Sequence, residues 1–84
     1  MNSRSKQKPD YVLDFRGAIS SITLLKMSDI FKEMKTNQIL ELLVHDKDTM
    51  DDIFKILPKS SYIKKVINEG SFNRISIKKI TEES

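Results

Sequence analysis

Residues 11 to 44 read YVLDFRGAISSITLLKMSDIFKEMKTNQILELLV, and this stretch decides the fold because its hydrophobic period changes twice. Tyr11, Leu13 and Phe15 alternate with Val12, Asp14 and Arg16, the period of two that marks a half-buried strand. Gly17 breaks the alternation and is expected to allow a tight strand-to-helix turn. From residue 20 or 21 to about residue 34, Leu24, Met27, Ile30 (or Phe31) and Met34 recur at helical spacing. Lys26, Asp29, Lys32, Glu33 and Lys35 fall largely on the other side. A serine just before such a run is a natural N-cap, because its hydroxyl can accept from the orphan N–H groups of the first turn. After a polar connection, Ile39–Val44 is too short and too apolar for a surface helix and fits a central strand. Two strands flanking one helix predict a right-handed crossover and therefore a parallel pair.

Working outward, residues 1 to 10 read as a disordered basic arm, with Pro9 near its end. Beyond the central strand, Asp48 is expected to N-cap a second helix, with Asp51 and Asp52 near its positive end. Ile53, Phe54, Ile56 and Leu57 supply that helix's apolar side, and Pro58 bounds it. Residues 62 to 67 read as a strand, 68 to 71 as a turn and 72 to 80 as a last strand with Ile75 and Ile77 on one face; residues 81 to 84 are a polar tail. The order βαβαββ over residues 11 to 80 predicts an α/β (α+β) two-layer sandwich, a mixed four-stranded sheet with two helices on one face. Asp14, Arg16, Glu41, Arg74, Ser76 and Lys78 alternate with apolar neighbours and are candidates for the open face.

Composition excludes whole classes of function. The 84 residues hold no Cys and one His. They therefore offer no disulfide, thiol nucleophile or iron–sulfur ligand, and no set of imidazoles for catalytic zinc. No apolar run approaches the ~20 residues that span a bilayer, and the start of the chain has no apolar core behind its charges, so it is not read as a signal peptide. A cytoplasmic protein is the expectation, a monomer or weak dimer with no membrane partner. The net charge of +3 is mostly a tail effect. Arg4, Lys6 and Lys8 against Asp10 leave the first ten residues at +2, and the rest carries 12 basic and 11 acidic residues. Eleven Ile and seven Leu suffice for one core.

Few residues point to chemistry. His45 ends a different strand from the serines at Ser20 and Ser21, so no base is identifiable for a serine nucleophile. Asp46, Asp48, Asp51 and Asp52 form an acidic cluster that capping and dipole pairing explain without metal. Met27, Met34 and Met50 read as core filler. Ser20 and Ser21 would suit an anion at a helix N-terminus, although capping alone accounts for them. No catalytic residue, metal site or cofactor is expected.

Leu13-Asp14-Phe15-Arg16-Gly17, a two-residue link and an amphipathic helix together resemble the TusA/SirA family of small sulfur carriers, which reads L-D-x-R-G, two residues, then C-P-x-P. Ile39–Val44 followed by His45-Asp46 resembles that family's second strand ending in D-D-P. Asp52-Ile53 resembles its D-I, and Arg74-Ile75-Ser76-Ile77-Lys78-Lys79 its closing strand. The likeness spans residues 11 to 80. It departs from the family at the chemistry, for Ser20 stands at the cysteine position, and Ser21 and Thr23 replace the two prolines. In the family a cysteine at the positive end of the helix carries persulfide, which a lowered thiol pKa favours. A serine hydroxyl neither ionises at neutral pH nor forms a persulfide, so this polypeptide cannot itself transfer sulfur.

The resemblance implies a non-catalytic protein-interaction or regulatory module, docking another protein (one of sulfur metabolism) through Arg16, Gly17, Ser20 and Ser21. Two alternatives stand beside it. Lys64, Lys65, Arg74, Lys78 and Lys79, with the arm, would form an RNA- or DNA-binding surface, although stacking aromatics nearby are limited to Tyr62 and Phe72. A sulfur carrier whose cysteine was exchanged for serine in the laboratory is the other, though it would not account for the two missing prolines.

Overall fold

The computed structural model describes residues 8–17 and 20–81; most of the expected N-terminal arm, the Ala18-Ile19 link and the last three residues of the C-terminal tail lie outside the described residues. The strand β1 (Tyr11–Phe15) leads to helix α1 (Ser21–Glu33), strand β2 (Ile39–Val44), helix α2 (Lys47–Ile56), a 3-10 turn (Lys59–Ser61), strand β3 (Tyr62–Asn68) and strand β4 (Asn73–Lys79). The four strands form one mixed sheet in the order β1-β2-β4-β3. β1 and β2 are parallel, with Leu13 beside Leu42 and Phe15 beside Val44. β4 runs antiparallel to β2 and to β3. The predicted parallel first pair, closing hairpin and two-layer sandwich are all present.

Side-chain alternation builds the core. Phe15, Leu40, Leu42, Val44, Ile75 and Ile77 share one sheet face and are buried against Met27, Phe31 and Met34 from α1 and its end, and Ile53 and Leu57 from α2 and its end. Both helices therefore lie on that face. Burying a side chain of this size contributes about 1.5–3 kcal/mol, so this single layer of contacts dominates the fold's stability. On the other face, Asp14, Glu41, Arg74, Ser76 and Lys78 stand in register, as expected of the open side.

Several local readings change. Asp46, not Asp48, caps α2: its carboxylate accepts from Thr49 N–H at 3.2 Å and from the Thr49 hydroxyl at 2.8 Å. Thr49 gives Asp46 two donors three residues on, the geometry an N-cap requires, and Asp48 lies in the first turn instead. Ile56, assigned to the apolar side of α2, is exposed, whereas Met50 and Phe54 pack on the core. Gly17 is not in the left-handed region, and a Cβ there meets no described atom within 4 Å, so the turn does not require glycine. Gly70 in the β3–β4 turn does, with φ at 101°. The start of α1 is as read: Ser20 is the N-cap.

Candidate functional site

The C-terminal ends of β1 and β2, together with the first turn of α1, gather the residues singled out at that corner. β1 ends where Asp14 and Arg16 close on each other. Arg16 donates from Nε to Asp14 Oδ1 at 3.0 Å and from a terminal guanidinium nitrogen to Oδ2 at 2.9 Å, while its backbone N–H donates to Oδ1 at 3.0 Å. Bidentate pairing of this kind fixes the guanidinium plane. These hydrogen bonds to Arg16 hold the Asp14 carboxyl well below its ordinary value, at about 2, and Asp14 in turn keeps Arg16 charged. The oriented guanidinium lies 4.9 Å from the Phe72 ring centroid, and Arg74 approaches the same ring at 5.9 Å. A shallow depression of about 500 Å³ lies beside it, lined by Asp14, Arg16, Gly17 and His45.

Ser20 is occupied structurally. Ser20 Oγ accepts from Thr23 N–H at 3.3 Å and lies 3.1 Å from the Thr23 hydroxyl, so capping accounts for it. Ser21 opens α1 and is exposed. His45 lines the depression, but no hydrogen bond joins it to either serine among the described residues. The arrangement offers a charged, oriented surface, and among the described residues no base is hydrogen-bonded to Ser20 or Ser21. Among the described residues no three His, Asp or Glu side chains group closely enough to hold a metal ion, and Asp46 and Asp51 are engaged with Thr49 and Lys47.

Two residues at this corner escaped the sequence reading. Ile22 is 78% exposed and Leu25 62% exposed. Spaced three apart, they share one ridge on the outward side of α1. The signal was in the chain, since both fall outside the helical core series Leu24, Met27, Phe31 and Met34.

The five basic residues considered for nucleic acid do not form one surface. Lys65, Arg74 and Lys78 lie on the open sheet face, and Lys64 points to the helix side. Lys79 is 2% exposed; its Nζ donates to the carbonyls of Phe31 at 2.7 Å and Lys32 at 3.1 Å, at the C-terminal end of α1. It is a buried helix-end partner and not a surface contact. Arg74 is held by Glu41 at 2.7 Å and Glu69 at 2.8 Å. The alternation Asn73, Ile75, Ile77, Lys79 already placed Lys79 in the core row. No helix among the described residues is long and apolar enough to cross a membrane.

No protein-family model, curated protein or solved structure matches this chain.

Proposed function

We infer that this chain is a non-catalytic docking module of TusA/SirA-like type, acting in the cytoplasm as a monomer or weak dimer, and that a partner protein binds at the start of α1. The observation that carries the reading is the exposed Ile22–Leu25 ridge, one turn from Ser20 and Ser21 and close in sequence to the clamped Arg16. Apolar side chains at full exposure cost solubility and gain by being covered. The clamped Arg16 guanidinium, close in sequence to the ridge, supplies charge and orientation, the usual division of labour between an interface's apolar centre and its charged rim. The resemblance in residues 11 to 80 points to a partner that handles sulfur, with Ser20 standing where the family carries it.

The test is affinity capture from the native host, with and without nuclease, using the intact chain, Arg16→Glu and the pair Ile22→Glu/Leu25→Glu. A nuclease-resistant protein captured by the intact chain and lost with both variants supports docking. Recovery of nucleic acid, insensitive to those changes, sinks it in favour of the basic-surface alternative. Ser20→Cys examines the remaining one: persulfide loading detected by mass would identify an altered sulfur carrier.

A further inference from the structure

The opposite margin of the sheet carries a second surface, independent of the α1 corner. Among the described residues β3 is an edge strand, paired only with β4. Ile80 N–H donates to Ser61 O, and Glu69 N–H to Phe72 O, which sets the alternation of the antiparallel ladder. Ile63, Lys65 and Ile67 turn their backbone groups toward β4; Lys64 and Val66 turn theirs to the free edge. An edge strand of this length, with backbone groups free on its outer side, is a template for another strand. Its chemistry is one-signed, for β3 contains Lys64 and Lys65 and no carboxylate.

On the helix side, a groove of about 760 Å³ runs between α2 and β3, with Lys55, Lys59 and Lys64 on its walls. None of these three, nor Lys65, is in an ion pair among the described residues, and the groove's one acid, Asp51, is engaged by Lys47 at 3.7 Å. We propose that the β3 edge accepts an acidic, extended segment of a partner protein as a fifth strand, its backbone pairing with Lys64 and Val66 and its carboxylates facing the unpaired lysines.

Charge complementarity selects this occupant over a second copy, which would bring two more lysines and no acid to the edge. The aromatics select it over single-stranded nucleic acid. Phe54 and Tyr62 stack on each other at 6.4 Å, Lys64 Nζ lies 4.3 Å from the Phe54 centroid, and Phe31 meets Tyr62 edge-on at 5.9 Å. These rings are engaged with one another and with Lys64, not offered to a base.

The test uses the full chain and a short capped peptide alternating Glu with Val and Thr, read by amide chemical shifts and hydrogen exchange. The peptide should shift and protect the Lys64 and Val66 amides. N-methylation of its alternate amides, or Lys in place of Glu, should remove the effect. Lys64→Glu with Lys65→Glu should weaken binding by about tenfold or more. Val66→Pro deletes an outward N–H and no ladder bond to β4, so the hairpin should persist while binding is lost. The charge-reversal pair keeps the backbone intact should Val66→Pro unfold the hairpin. Equal binding of the N-methylated peptide, no binding of the acidic one, preferential binding of oligo(dT) or oligo(U), or β3 protection that grows with protein concentration alone would each overturn the proposal.

Discussion

At the scale of single residues, Asp14 and Arg16 show how two exposed side chains become a defined feature. Each is exposed, and an exposed ion pair contributes little to stability. What the pair does is orient: three hydrogen bonds converge on one carboxylate, and the guanidinium is laid across Phe72. The sign of the pH dependence follows from the lowered carboxyl. Its pairing is fully present above the ordinary value of 3.8 and is lost as pH falls toward about 2. An NMR titration of the Asp14 carboxyl should give a midpoint at about 2 in the folded chain, and an upward move toward 3.8 in Arg16→Ala. A midpoint near 3.8 in the unaltered protein would mean that the clamp is open in solution.

At the scale of elements, the two ends of α1 are held by different means. Its N-terminus is satisfied locally, by Ser20 three residues from Thr23. Its C-terminus is satisfied from the far end of the chain, by Lys79 reaching the carbonyls of Phe31 and Lys32. A cation there meets the negative end of the helix dipole, and Lys79 Nζ also lies 4.8 Å from the Phe31 ring centroid. Lys79→Ala should therefore destabilise the fold by about 1–3 kcal/mol, the cost of losing its charged hydrogen bonds to the Phe31 and Lys32 carbonyls, as measured by denaturant unfolding. A loss no larger than that of Lys78→Ala, its neighbour on the open face, would show that the buried contact adds nothing. The serine cap was legible in the sequence because its partner lies three residues away. The Lys79 contact needed the register of β4 as well as its alternation, because a residue 48 positions from its acceptor is placed by pairing and not by spacing.

At the scale of the whole molecule, one core layer separates two sheet faces of different character. Leu42 is completely buried beneath the helices, and its neighbour Leu43 sits half-buried on the open face beside Arg74. Leu42→Ala should cost about 2–5 kcal/mol, and Leu43→Ala about 1 kcal/mol or less. Calorimetry on the two variants measures the difference. Equal losses would mean that the open face is covered in solution.

The sequence by itself determined the element order, the parallel first pair, the closing hairpin and most of the core, because hydrophobic period is a property of neighbours along the chain. It also determined that no thiol chemistry resides here, since composition alone decides that. Which of five basic residues reach solvent on one face, and which strands are left at the sheet's edges, were decided only in the tertiary structure. Each depends on how segments distant in sequence are brought into register, and the strand order β1-β2-β4-β3 is the arrangement that leaves the lysine-bordered edge of β3 at one margin of the sheet.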